Sequence, residues 1–208
     1  MKIGPKFKIA RRLGSRIFPK TQTTKFSISG SAQRGGIKGG AGRRPRAASE
    51  YGLQLIEKQK ARYTYGLKES QFSSYVKKAR AAREGSPTVR LYQGLETRLD
   101  NVVFRLGLAP SRAFARQLVG HGHVMVNGRR ANVPSQALKV GDKVSIRSQS
   151  RQLGLFKTLA ERLKNYQTPE WLLFNPDTQT GEVKGLPTQV ALEANLDLGA
   201  VLEFYGRV

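Results

Sequence analysis

From residue 49 onward the apolar positions recur with a helical period; before it they do not. Ser49 is a candidate N-cap for a helix over about 50–64, which carries Leu53 and Ile56 together with Lys58, Lys60 and Arg62 before Tyr65-Gly66 interrupts it. A second helix starts near Ser70. Phe72, Val76 and Ala79 fall at i, i+4 and i+7, while Lys77, Lys78, Arg80 and Arg83 occupy other faces. Gly85-Ser86-Pro87 closes it and opens a third pattern, with Ser86 as cap and Pro87 at the first helical position. Tyr92, Leu95, Leu99, Val102, Val103 and Leu106 carry that stripe as far as Gly107, and Gly94 is a candidate break within it. Ser111 caps a short helix over 112–120. Phe114, Leu118 and Val119 face inward there, and Arg112 and Arg116, four residues apart, face the other way.

After Gly122 the period changes to two. His123-Val124-Met125-Val126 predicts a strand, Asn127-Gly128 a tight hairpin turn, and Arg129-Arg130-Ala131 the returning strand. A turn at Val140-Gly141-Asp142-Lys143 feeds a strand over 144–147. A basic helix of about 153–166 follows, with Leu155, Phe156, Leu159 and Leu163 as its stripe. Trp171–Phe174 and Val201–Phe204 read as short strands separated by a polar turn at 175–181. The fold class is therefore α+β. Residues 1–48 form a basic Gly-rich arm and 49–92 a helical domain. Residues 93–165 form an inserted domain with a helix pair packed on a small β-sheet, and 166–208 a C-terminal segment packing back on the helical domain.

The 208 residues carry 37 Lys+Arg against 14 Asp+Glu, a net charge of +23. Self-repulsion on that scale opposes compaction unless a polyanion neutralises it, so nucleic acid is the default partner. The excess is uneven: 1–49 hold 13 basic residues and no acid, whereas the last 41 residues are net −4. The arm has sparse apolar residues, and Gly4, Pro5, Gly14 and Pro19 break any amphipathic helix near its start. Between Gly30 and Arg46, glycines alternate with Arg34, Lys38, Arg43, Arg44 and Arg46. A flexible strap ordered by RNA is expected there, because glycine lets backbone approach phosphates and arginine forks onto them. The longest apolar run is four residues, Trp171 to Phe174, far short of the ~20 of a membrane helix. No apolar signal region opens the chain, which predicts a protein that is not secreted.

Catalysis finds no foothold. There is no cysteine, which excludes disulfides, thiolate zinc sites and cysteine nucleophiles. The two histidines, His121 and His123, lie two apart without a third ligand nearby, so no metal is expected. No nucleophile elbow, paired carboxylates or dinucleotide fingerprint occurs. Asp100 is a nominal general base, but an Asp at a helix start pairs more readily with a local Arg. His121, bracketed by Gly120 and Gly122 at a helix end, is placed to meet a phosphate.

Arg98-Leu-Asp-Asn-Val-Val-Phe-Arg-Leu-Gly107, then Ser111-Arg112 through Ala115-Arg116-Gln117-Leu118-Val119, then His121 through Arg129, with Val140-Gly141-Asp142 after, resemble in order and spacing the alpha-L RNA-binding motif. The flanks extend the likeness. Ser49 through Leu55, Glu57 through Lys60, Tyr65-Gly66 and Gln71-Phe72 resemble the helical domain of the family of protein four of the small ribosomal subunit. Gly4-Pro5-Lys6 with Arg11-Arg12 resembles that family's start, and Glu203-Phe204-Tyr205 its end. Many relatives place a cysteine zinc knuckle after the Gly-Pro; here Lys6-Phe7-Lys8-Ile9-Ala10 stands there, a zinc-free version.

The resemblance implies a structural ribosomal protein that is not an enzyme and uses neither cofactor nor small-molecule substrate. Its partners would be small-subunit rRNA at a junction in the 5′ domain, neighbouring small-subunit proteins, and messenger RNA where it enters the ribosome. Early assembly, decoding accuracy and, in some members, repression of the protein's own messenger are family roles. The location would be the cytoplasmic ribosome, with an organellar ribosome as the alternative. The RNA-binding residues expected are Arg11, Arg12, Arg43, Arg44, Arg46, Lys58, Lys60, Arg62, Ser111, Arg112, Arg116, His121, Asn127, Arg129 and Arg130. An RNA-modifying enzyme anchored by the same motif would need a catalytic domain for which only 41 residues remain after 167. A stress-type RNA chaperone would lack the Ser49–Phe72 block, and an architectural DNA binder would need a recognition helix with dimer symmetry.

Overall fold

The structure is a computed structural model describing residues 3–28, 49–82, 85–156, 166–175, 178–188 and 196–207, together with Leu159 and Leu163. The chain divides into two compact units, Met1–Thr88 with Ala191–Val208, and Val89–Val190.

The first unit opens with α1 (Lys6–Leu13). The sequence pattern predicts no helix here, but Pro5 and Gly14 fall just outside its two ends and punctuate it instead of breaking it. Ala10, Phe18 and Phe26 form a small buried cluster with Ile9, Ile17 and Ile28, closed by Tyr63. The segment is less bare than its composition suggests because that aromatic wall comes from the next helix, α2 (Glu50–Thr64). Ser49 caps α2 as expected, accepting from the Gly52 amide at 3.2 Å. Helix α3 (Glu69–Ala81) buries Phe72, Val76 and Ala79, the stripe its sequence predicts. The expected strand over Val201–Phe204 is instead the last helix, Leu198–Arg207, which buries Leu198, Val201 and Phe204 at helical spacing. A short apolar run does not distinguish strand from helix; here Phe72, Tyr51 and Lys58 supply the partners that settle it.

Helix α4 (Pro87–Glu96) leads into the second unit, which packs a helix pair, α5 (Leu99–Arg105) and α6 (Arg112–Gly120), on one sheet. The break falls at Thr97-Arg98 and not at Gly94, since Arg98 is extended and bridges to Ala137. Strands β1 (Val124–Val126), β2 (Arg129–Ala131) and β3 (Lys143–Ile146) precede a one-turn helix, α7 (Ser148–Arg151), and β4 (Leu172–Asn175) and β5 (Thr180–Val183) follow. With the final helix numbered α8, the five strands lie in the order β2-β1-β3-β5-β4, every pairing antiparallel. The core joins Leu99, Val102, Val103 and Leu106 of α5 and Ala115, Leu118 and Val119 of α6 to the inner face of the sheet.

The C-terminal segment therefore does not return whole to the helical domain. Strands β4 and β5 complete the sheet of the second unit, and only the stretch from 191 belongs to the first. Leu172 and Val183 are core residues of that sheet. Gly181 stands opposite Val144, where a Cβ would run into Leu106, so only glycine lets the strand lie flat on α5. Of the basic helix expected at 153–166, Phe156 and Leu159 are buried and Leu163 packs on the same core. Its remaining basic residues, and the expected strap at 30–46, lie outside the described residues.

Candidate nucleic-acid interface

Six arginines between residues 98 and 130 divide into an inner and an outer group, with Arg116 between them. The inner group is held by two carboxylates that α4 and α5 bring under α6. Glu96, fully buried, receives Arg105 through Nε at 2.7 Å and Nη2 at 2.8 Å. Asn101 donates to the same carboxylate at 2.9 Å. Asp100 receives Arg98, 1% exposed, at 3.0 and 2.7 Å. This is the local pairing the sequence favours for Asp100 over a catalytic role. Both pairs are forked, the geometry in which guanidinium and carboxylate bind most strongly.

Arg112 belongs to this inner group. Its Nε donates to Asn101 Oδ1 at 2.7 Å, its Nη2 lies 3.9 Å from Glu96, and its guanidinium sits 4.6 Å from the Phe104 ring centre. The helical spacing predicts Arg112 on the outer face with Arg116; its partners turn it inward. Arg116 stands between the groups, one third exposed, with Nη1 3.8 Å from Asp100 and no hydrogen-bond partner at that atom. Ser111 is occupied as the N-cap of α6, accepting from the Phe114 amide at 3.2 Å.

The outer group lies on the hairpin. Arg129 and Arg130 are exposed and pair with no carboxylate among the described residues. The Arg130 guanidinium donates to the His121 carbonyl at 3.2 Å, tying β2 to the end of α6. Gly122, at φ 71°, makes room: a Cβ there would strike that guanidinium. Asn127 is spent on the turn, at φ 49°, donating to Asp142 and accepting from the Lys143 amide, each at 2.8 Å. A groove of about 400 Å³ runs beside it between Arg129, Arg130 and Gln136. His121 is exposed at the end of α6, and Lys139 and Lys143 are exposed on the loop and strand that follow. His123 accepts or donates across 3.0 Å to Ser150. Burial, then the positive charges of His121, Arg130 and Arg147, hold its pKa below the ordinary imidazole value.

In the first unit, Lys8, Arg11, Arg12 and Arg16 are exposed on and after α1, a segment without any acid. Arg11 sits 5.5 Å from the Phe26 ring. The α2 cations are different. Lys58 is buried, 3.0 Å from Glu69 and 4.5 Å from the Phe204 ring. Lys60 pairs with Glu57 at 2.6 Å. Arg62 lies 3.5 Å from Glu69 and stacks 4.7 Å from Tyr63. Burial alone would raise Glu69, but the Tyr205 hydroxyl at 2.6 Å, the Lys58 bond and the charges of Lys58 and Arg62 outweigh it and lower its pKa. Burial and that same carboxylate push the Tyr205 phenol up beyond its usual range. Lys58 thus docks α8, while Arg43, Arg44 and Arg46 lie outside the described residues.

Sequence reasoning missed Glu96, Arg98 and Arg105 as site residues. The available signal was the isolated acid pair Glu96 and Asp100 in a strongly basic stretch, each within ten residues of an arginine that it binds in the fold.

Residues 1–96 match the family model described as the ribosomal protein S4/S9 N-terminal domain, and residues 97–144 match the S4 domain. The chain is 44% identical over 206 residues to the small ribosomal subunit protein uS4 of Roseiflexus sp. (strain RS-1), covering 98% of both chains. It is 44% identical over 207 residues to that of Roseiflexus castenholzii, covering 99% of this chain and 98% of the relative. The same coverage holds at 43% identity for Chloroflexus aurantiacus (strain J-10-fl). With both family models matched in sequence and identity sustained along nearly the whole of each chain, the protein belongs to the uS4 family of small ribosomal subunit proteins.

Proposed function

We propose that the chain is a structural constituent of the small ribosomal subunit that binds its rRNA and carries out no reaction. The observation that carries this reading is the division of the arginines. Arg98, Arg105 and Arg112 are consumed by Glu96, Asp100 and Asn101, which fixes α5 against α6. Arg129 and Arg130 are left exposed on a paired hairpin, without acid partners among the described residues. Folded RNA is read largely by shape and phosphate contacts, and an array of forked donors suits that task. In the second unit the RNA-facing set is Arg116, His121, Arg129 and Arg130, and in the first it is Arg11 and Arg12. Lys60 and Arg62 are secondary contacts, already shared with carboxylates, and Arg43, Arg44 and Arg46 stay in the set on sequence grounds.

Family resemblance supports the finer reading: early binding at a junction of the 5′ domain, contact with neighbouring small-subunit proteins, a place near the incoming messenger, an influence on accuracy, and repression of the protein's own messenger. The relatives are bacterial, which favours a cytoplasmic ribosome. The test is sedimentation of the full chain with small subunits in high salt. Retention with the subunit supports a constituent held by specific contacts, and release at moderate salt would reduce it to a loosely bound factor.

A further inference from the structure

A groove in the first unit shares Arg12 and Arg62 with the interface described above, but its remaining lining has no role there. It lies between α1 and α2 and has a cavity volume of about 170 Å³. Drug-sized ligand sites run to about 300–1,000 Å³, so this one suits a single small flat group. Its walls are aliphatic, from Ile9 and Leu13 on one side and Leu55 and Ile56 on the other. Its polar lining is cationic or neutral: Arg12, Gln59, Arg62 and the Tyr63 ring. Two of those side chains carry a buried polar atom with no hydrogen-bond partner, Gln59 Oε1 and Arg62 Nε. Both atoms are closed to solvent as the side chains stand, and a turn of each side chain into the groove would let a ligand satisfy it and recover its desolvation cost.

We propose that this groove receives one unstacked base of the bound RNA. The inference rests on the rRNA-binding reading and names a further subsite within it. Four features fit a nucleobase. The groove holds one flat ring with aliphatic walls, and Arg62, stacked on Tyr63 at 4.7 Å, adds a planar cation of the kind on which exposed RNA bases stack. The orphan acceptor and donor complement a base edge, where a donor and an acceptor stand side by side. Arg12 is exposed and lines the groove, so it can hold the phosphate that arrives with the base. Finally, among the described residues no carboxylate lines the groove to repel a polyanion. Because every base presents an adjacent donor and acceptor, the site selects an accessible base and not one base identity.

The experiment uses the full chain with a 5′-domain fragment of small-subunit rRNA, probed by base-specific chemical modification. Gln59→Leu removes the orphan acceptor at nearly constant volume, and Ile56→Trp fills the groove; circular dichroism melts check that each still folds. With the unaltered chain, one nucleotide or two adjacent ones should lose base reactivity. Both variants should restore that reactivity and weaken binding about five- to tenfold, the lower range for loss of one stacked base. The slope of log affinity against log salt should not change, because every phosphate-binding cation is still in place. Protection and affinity identical in Gln59→Leu and the unaltered chain would overturn the proposal while leaving rRNA binding intact. Binding without any base protection would also overturn it. Absence of binding by the unaltered chain would sink the rRNA reading, and this subsite with it.

Discussion

Arg112→Ala should behave as a core mutation even though its position in the sequence marks it as a surface cation. The side chain is 18% exposed. Its removal orphans Asn101 Oδ1, which now accepts at 2.7 Å, and strips the cation from the Phe104 face at 4.6 Å. A hydrogen bond from a charged donor contributes about 1.5–3 kcal/mol. A cation over an aromatic ring adds about 0.5–2 kcal/mol. Glu96 keeps its forked bond to Arg105, so no buried carboxylate is stranded and the larger penalty for a broken ion pair does not apply. The expected loss is about 2–5 kcal/mol, a large share of the roughly 5–15 kcal/mol that holds a domain together. Arg129→Ala, exposed and unpaired with acid among the described residues, should stay within about 0.5 kcal/mol. Urea unfolding followed by the fluorescence of Trp171 suits the comparison. It is the only tryptophan in the chain and packs on the core of the second unit. Equal slopes of free energy against urea are required for the midpoints to be compared. If Arg112→Ala and Arg129→Ala unfolded at the same midpoint, the inward placement of Arg112 would be wrong.

Asp100→Asn removes the forked carboxylate from buried Arg98 and should cost about 3–5 kcal/mol in the same melt; a loss below about 1 kcal/mol would mean that the pair does not hold the turn into α5. Leu118→Ala should cost about 2–5 kcal/mol, and a near-neutral result would place α6 with its wrong face to the sheet. His123 is kept neutral in the fold, so the unfolded chain takes up a proton first, near about pH 6.5. Stability is therefore level above that pH and falls as pH drops from there toward the lowered folded value. Thermal melts between about pH 7.5 and about pH 5.5 should show this fall, and His123→Gln should flatten it; a fall of the same size in the variant would assign it elsewhere.

Local signals were legible because they need no distant partner. Ser49 and Ser111 cap their helices through their own backbone, the α3 stripe repeats within one helix, and Asn127-Gly128 sets its own turn. Readings failed where the deciding partner lies far along the chain. The last helix looks like a strand until Lys58, Phe72 and Glu69 are placed beside Phe204 and Tyr205. Strand β5 carries a single large apolar residue, Val183, so nothing in its own pattern separates it from the turn before it. The site followed the same rule. The exposure of the hairpin arginines follows from their own short strand, whereas the inward placement of Arg112 depends on Glu96 and Asn101, eleven or more residues earlier.

The most direct test of the division between inner and outer arginines is the salt dependence of binding to a 5′-domain rRNA fragment. Filter binding of the unaltered chain, of Arg129→Ala with Arg130→Ala, and of Arg112→Ala gives the slope of log affinity against log salt for each. Every phosphate left without its cation should flatten the slope by about 0.7–0.9, so the hairpin double variant should flatten it by about 1.4–1.8. Arg112→Ala, assayed below its unfolding temperature, should retain the unaltered slope. A hairpin variant with the slope of the unaltered chain, or an Arg112→Ala slope flattened by as much as one neutralised phosphate accounts for, would contradict the division.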